Sequence, residues 1–149
     1  MANELGCVVF SPEYRLAPET PFPGADTDVA NATKYVFQNA ESFGVDPQKI
    51  VLTGDSAGGF FTLVTWYRLR DFFKQMSVQP SLLSFVYPGF GYRFDSPSYQ
   101  QNKDSPILTL HDAHFFYLCH GGFELSEQNF NLFRDQVHFD WNKEGHCLI

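Results

Sequence analysis

Ile50-Val51-Leu52-Thr53-Gly54-Asp55-Ser56-Ala57-Gly58-Gly59 is the stretch from which the rest of the chain is read. Four apolar or β-branched residues run into Gly-x-Ser-x-Gly, and a helical pattern follows. Strand, sharp turn, helix is the order that a nucleophile elbow needs. Such a turn lifts the Ser56 hydroxyl clear of the sheet edge. Gly54 and Gly58 are expected to leave room where a Cβ would collide with a strained backbone. The amide of Ala57, one residue past the serine, would point at a developing oxyanion, and the start of the helix adds positive potential there. Asp55 and Gly59 complete the support of the bend. The spacing alone also fits an ordinary Gly/Ser turn, so the reading depends on its surroundings.

Upstream, Cys7-Val8-Val9-Phe10 is a short apolar run bounded by Gly6 and Ser11-Pro12, which predicts a buried strand. Glu13 to Gly24 is punctuated by prolines that forbid helix. From Asp26 a helical pattern takes over. Val29, Ala32, Val36, Ala40 and Phe43 recur every three or four residues and predict one apolar stripe. Asp26 and Asp28 suit the positive end of that helix. Gly44 sits where a C′ glycine belongs, and Asp46-Pro47 finishes the turn. Strand, crossover helix, strand is a βαβ unit, so the strands at Cys7 and Ile50 are expected to be parallel neighbours.

Downstream, Ala57 to about Lys74 reads as a helix apolar around much of its circumference, suited to burial on a sheet. Ser77 to Pro80 ends it. Leu82 to Tyr87 reads as a third strand, stopped by Pro88-Gly89. This second βαβ unit places Ser56 at the carboxyl end of its first strand, the edge where open α/β sheets build their sites. Phe90 to Pro106 reads as loop. Ile107 to Leu118 fits a helix carrying aromatic residues, and Ser126-Glu127-Gln128-Asn129 a short further one.

The bulk properties narrow the classes of function. The 149 residues suffice for one domain with a core, and 17 phenylalanines exclude a disordered chain. A net charge of −7 argues against a nucleic-acid partner, since no basic face screens phosphates. Cys7, Cys119 and Cys147 show no paired spacing and suggest reduced thiols or one incidental bridge, not a disulfide framework. No apolar run reaches membrane-spanning length, and no basic region followed by an apolar one opens the chain as a signal peptide would. Asn31-Ala32-Thr33 is a formal glycosylation sequon, but it falls inside the expected helix.

Several motifs then occur in a recognisable order. Tyr14-Arg15-Leu16-Ala17-Pro18-Glu19 is followed by Pro21-Phe22-Pro23, by Gly44-Val45-Asp46-Pro47 and by Gly54-Asp55-Ser56-Ala57-Gly58-Gly59. This series resembles the hormone-sensitive-lipase-like group of α/β-hydrolases. Tyr87-Pro88-Gly89 and Ser96-Pro97-Ser98-Tyr99 are similar to its arylacetamide deacetylase and neutral cholesterol ester hydrolase branch. The similarity runs from residue 4 to 106 and is faint over 107–149, a cap or tail. The resemblance implies a single, partial α/β-hydrolase domain over 1–149, a parallel central sheet with helices on both faces. It also implies a serine hydrolase acting on small apolar carboxylic esters or aryl amides without a cofactor. Ser56 would be the nucleophile, the Ala57 amide one oxyanion donor, and Asp55 a brace. Tyr14 to Glu19 would form a structural loop near the site. Relatives of this branch are often anchored in the endoplasmic reticulum.

The departures from that family pattern matter equally. Members carry a His-Gly-Gly-Gly oxyanion loop ahead of the first strand, which this chain begins too late to include. Members also carry an acid and then a histidine on late loops, and no late motif here matches them. Phe60 and Phe61 are bulky where relatives place small or polar residues. The chain thus resembles a central slice, and by itself is expected to show no activated serine. The alternatives are a non-catalytic, small-molecule-binding relative, as the gibberellin receptors are, or an inactive truncated product.

Other features read as structural. His120-Gly121-Gly122-Phe123 imitates the oxyanion motif but follows the nucleophile instead of preceding it. His111 and His114 have helical i, i+3 spacing without a third metal ligand, so no metal site is expected. Asp112 reads as a solvated helix residue. His138 or His146, with Asp135 or Asp140, could form a degenerate triad but lack the strand-then-loop context. Phe115-Phe116-Tyr117 reads as core or as the wall of an acyl pocket, and Cys119 as a buried small apolar residue.

Overall fold

The computed structural model describes residues 2–90 and 94–121. In chain order its elements are α1 (Ala2–Leu5), α2 (Gly24–Gln38), β1 (Val51–Asp55), α3 (Ala57–Met76), β2 (Leu82–Val86), α4 (Pro97–Gln101) and α5 (Leu110–Gly121). Single 3₁₀ turns at Ala40–Phe43 and Pro47–Lys49 join α2 to β1. The expected helix at 126–129, together with Asp135, His138, Asp140, His146 and Cys147, lies outside the described residues.

The centre is one βαβ unit. β1 and β2 pair in parallel, with Val51 opposite Leu82 and Asp55 opposite Val86. α3 crosses between them and packs on both strands and on α2. Its burial pattern follows from that position. Gly59 to Thr65 are all buried, because this half is enclosed on every side. Beyond it only Leu69 and Phe73 remain buried, at a spacing of four residues, so the far half is covered on one face. Ser77, at φ 52°, closes the helix in a left-handed cap, its N–H donating to the Phe73 and Lys74 carbonyls.

Two apolar clusters fix α2 against α3. In one, Ala30 and Phe37 meet Leu69, Phe73 and Val78, with the Phe37 and Phe73 rings edge to face at 4.9 Å. In the other, Ala25 meets Phe60, Phe61 and Val64, flanked by Tyr14 and Val29. The buried line of α2 is therefore Ala30–Phe37. Of the expected stripe Ala40 is buried, but within α2 the buried line is displaced by one position: Val29, Ala32 and Val36 are half-buried, and Phe43 is exposed. Helix–helix packing selected the neighbouring face because Phe37 finds an aromatic partner on α3. Gly44 does cap the following turn, in the left-handed region at φ 66°.

The strand expected at Cys7–Phe10 is not formed. These residues belong to no ladder among the described residues, and Val8, Val9 and Phe10 are 56%, 51% and 41% exposed. A strand needs a hydrogen-bonded neighbour, and an apolar run alone does not supply one. Phe10 rests its ring on Phe43 at 5.1 Å instead. The expected parallel pairing of this segment with β1 is absent for the same reason. The Phe90–Pro106 region, expected to be loop, contains the short helix α4. No described helix is long and apolar enough to cross a membrane.

Candidate functional site

β1 delivers the chain to the sheet edge, and the elbow forms there. Ser56 is exposed, with φ 49° and ψ −115°, a conformation that a residue bearing a Cβ rarely adopts. The bend is held by identifiable contacts. The Ser56 N–H donates to Val86 O at 2.9 Å, extending the ladder one residue beyond β1, and Phe60 N–H donates back to Ser56 O at 3.3 Å. Ala57 opens α3, so its N–H belongs to the first turn, where no intrahelical acceptor exists. The Ser56 hydroxyl and the Ala57 amide therefore share the start of a 20-residue helix at the carboxyl end of a parallel strand.

The glycines divide the work differently from the expected pattern. A Cβ on Gly54 would run into the Gly58 carbonyl group and lie 2.8 Å from Gly58 Cα. A Cβ on Gly59 would come within 2.8 Å of Pro88 Cβ and 3.2 Å of Gly54 O. At Gly58 a Cβ would meet nothing within 4 Å, so the collision expected there does not arise. Gly58 is the backbone against which Gly54 must fit.

The end of β2 lies against the elbow. The Tyr87 hydroxyl donates to Asp55 Oδ2 at 3.2 Å, and Tyr87 itself has φ 36°. The Asp55 carboxylate beside it pushes the Tyr87 phenol above its usual range, first through the hydrogen bond and then through its charge. Farther along, Tyr117 of α5 donates to Gly89 O at 2.8 Å, and burial pushes its phenol up to about 12. Neither Tyr87 nor Tyr117 was expected to act on the elbow: Tyr117 reads in the sequence only as core or pocket wall. Tyr87-Pro88-Gly89 is visible there as a strand-stopping motif, but side-chain reach is not.

The Tyr14–Glu19 loop is strapped to α2 by one residue. Arg15 Nε and Nη2 each donate to the Asp28 carboxylate at 2.8 Å, and the Arg15 N–H adds a third bond at 3.1 Å. These bonds hold the Asp28 carboxyl down at about 2. The Tyr14 ring packs edge-on against Phe61 at 4.8 Å, so the loop reaches the buried half of α3.

α5 brings His120 to the same region. Its ring lies against Phe22, Phe60 and Phe61 at 5.7–6.0 Å, and Nε2 is 3.6 Å from Asp26 Oδ2. Asp26 is 1% exposed. Burial raises its carboxyl above the usual range and depresses the His120 imidazole. His120 is thus a packing residue of α5 and not part of an oxyanion loop. His111 and His114 are exposed on the same helix, and the His114 ring sits 4.9 Å from Phe94. No group of metal-ligating side chains occurs among the described residues. Asp112 departs from expectation: with Thr109 it closes the start of α5. Its carboxylate accepts from Thr109 N and Oγ1, and its own N–H donates to Thr109 Oγ1. Phe115 and Phe116 are exposed, so neither is core, whereas Cys119 is buried as expected.

The family model described as alpha/beta hydrolase fold matches residues 1–140. The chain belongs to the alpha/beta hydrolase fold family. This hydrolase-fold chain is 38% identical over 111 residues to arylacetamide deacetylase of Bos taurus, covering 72% of the chain and 28% of the relative. It is 37% identical over 114 residues to neutral cholesterol ester hydrolase 1 of Rattus norvegicus, covering 74% of the chain and 28% of the relative. It therefore spans little more than a quarter of the length of these curated relatives. Among solved structures, a bacterial heroin esterase superposes with a TM-score of 0.68 at 32% identity, over 76% of this chain and 35% of that one. The predicted α/β-hydrolase arrangement, a parallel sheet with helices packed on it, is the fold observed.

Proposed function

We propose that this chain carries the nucleophile and one oxyanion donor of a serine hydrolase acting on small carboxylic esters or aryl amides. The observation that supports it best is Ser56. A residue other than glycine is held exposed at φ 49° between a parallel strand and a long helix. Holding it there is unfavourable by on the order of 1–3 kcal/mol, which packing elsewhere must offset. The relatives' names, arylacetamide deacetylase and neutral cholesterol ester hydrolase, support an ester or aryl amide as the substrate class.

In this reading the Ser56 hydroxyl attacks the ester carbonyl carbon and passes its proton to a base. The carbonyl oxygen becomes an oxyanion facing the Ala57 N–H. The alcohol or amine then leaves with a proton, and water repeats the attack to release the acid. Asp55 braces the bend, and Gly54, Gly58 and Gly59 allow it to close. The three described histidines sit on α5, and none is hydrogen-bonded to Ser56. Without a base, the rate falls by on the order of 10⁶.

Chemical rescue tests this directly. A fluorophosphonate probe is applied to the chain and to Ser56→Ala, with and without excess imidazole. Ser56-dependent labelling is expected only with imidazole, which supplies the base. Labelling without it would mean that a histidine of the chain already serves, and His138→Ala and His146→Ala would identify which. Equal signals from the chain and Ser56→Ala in imidazole would overturn the proposal. A folded, unlabelled chain that binds an apolar ester would identify a non-catalytic binding relative.

A further inference from the structure

The segment after β2 does more than end a strand. Val86, Tyr87 and Pro88 touch three successive parts of the elbow: Ser56 N–H on Val86 O, Asp55 Oδ2 under the Tyr87 hydroxyl, and Pro88 against Gly59. Tyr87 is the unusual member. It is 73% exposed, so burial does not account for its presence, yet it adopts φ 36°. A bulky residue in that region is a genuine outlier and signals that something local outweighs its strain. Its hydroxyl is hydrogen-bonded to the carboxylate next to the nucleophile, and a hydrogen bond to an ionised acceptor is stronger than a neutral one. Register supplies the geometry: Asp55 and Val86 are paired across the ladder, so the next residue on β2 naturally reaches the Asp55 side chain.

We propose that Tyr87 is a positioning residue, whose hydroxyl, aimed at Asp55 from a strained backbone, fixes the bend that carries Ser56. This rests on the reading of Ser56 as the nucleophile. Tyr87 itself transfers no proton and touches no reacting atom. It acts through Asp55, which would otherwise rotate in solvent and leave the bend held by the Val86, Phe60 and Pro88 contacts.

The test uses the full chain and four variants: Tyr87→Phe, Tyr87→Gly, Asp55→Ala and the double variant Tyr87→Phe/Asp55→Ala. Amide hydrogen exchange at Ser56 reports whether the bend opens, independently of any chemistry. Tyr87→Phe should speed that exchange by about threefold to tenfold and leave the central β1–β2 amides unchanged. Tyr87→Gly, which removes the backbone strain together with the hydroxyl, should give the same acceleration. Asp55→Ala should match it, and the double variant should go no further, because both changes remove one interaction. In imidazole, Tyr87→Phe should lower the maximal fluorophosphonate labelling rate without moving the half-saturating probe concentration, a split that a general loss of folding would not produce. Wild-type exchange in Tyr87→Phe, or additive effects in the double variant, would overturn the proposal. If Ser56 never labels but the exchange pattern holds, the reading of the site fails and the positioning of the bend stands. If Ser56 labels equally fast in both proteins with exchange unchanged, the reading stands and Tyr87 has no such role.

Discussion

Three glycines that look alike in sequence are physically different. Gly54 faces the Gly58 carbonyl group, Gly59 faces Pro88, and Gly58 faces open space. Gly54→Ala should therefore be destabilising by about 1–3 kcal/mol, the usual result of forcing a methyl group into a packed site. Gly58→Ala should be neutral or stabilising by up to about 1 kcal/mol, since alanine is the better helix former. Urea unfolding of the two variants checks this, and a Gly58→Ala variant weaker than Gly54→Ala would contradict it. The place of Ser56 and Ala57 at the bend between strand and helix was legible from residue type and order alone, because such a turn has few solutions. Which glycine the turn cannot do without was not legible. That depends on a backbone approach between residues four apart, and the Gly-x-Ser-x-Gly pattern is the same whichever one is indispensable.

At the level of elements, α5 docks on α2 and α3 through a contact whose strength depends on pH. Buried Asp26 on α2 meets half-buried His120 on α5, with the Arg68 charge on α3 acting on Asp26 and aromatic rings from Phe22, Phe60 and Phe61 around the imidazole. The folded state holds the Asp26 proton more tightly than the unfolded chain does. Its contribution is therefore fully present below the ordinary carboxyl value of 3.8 and is lost as pH rises through the raised one. His120 is depressed, so its contribution is present above 6.5 and is lost as pH falls toward its folded value. Asp28, in contrast to both, favours the charged form: the Arg15 strap helps above 3.8 and is lost as pH falls through about 2. Asp26→Asn isolates the first of these effects. It should be more stable than the parent at pH 7, by about 1 kcal/mol, with the difference closing as pH falls through the raised Asp26 value and gone once pH is below 3.8. Thermal unfolding across that range measures it, and a variant less stable at pH 7 would mean that the ion pair outweighs the burial of its charge. None of this was legible in sequence. Asp26 reads there as an ordinary helix-start acid and His120 as part of a glycine motif, because their meeting is set by the path of residues 94–119. The elements with strong local signals, α3 and β2, were placed within about two residues. Cys7–Phe10 failed because its pattern shows what the segment is suited to, while a strand also requires a partner.

On the scale of the whole molecule, the same missing partner becomes a prediction about solution behaviour. The described sheet has two strands, and such a sheet leaves one edge of each strand unpaired among the described residues. Apolar side chains lie on or beside these strands and on the segment near the start of the chain: Val8, Val9, Val51 and Val86 are all exposed. Unpaired edges flanked by apolar residues are templates for another chain. The net charge of −7 opposes association, but only over the screening distance set by salt. The chain is accordingly expected to self-associate as its concentration rises, and more strongly as added salt removes the charge repulsion. Val51→Glu, which adds to the net negative charge and places a like-charge barrier on β1 at an exposed position, should shift association to higher concentration and leave the helical circular dichroism unchanged. Sedimentation velocity over a range of concentrations and salt reads both effects. A monomer that persists at high concentration and high salt would show that these edges are already covered within the folded chain, and the exposed valines would then need another explanation.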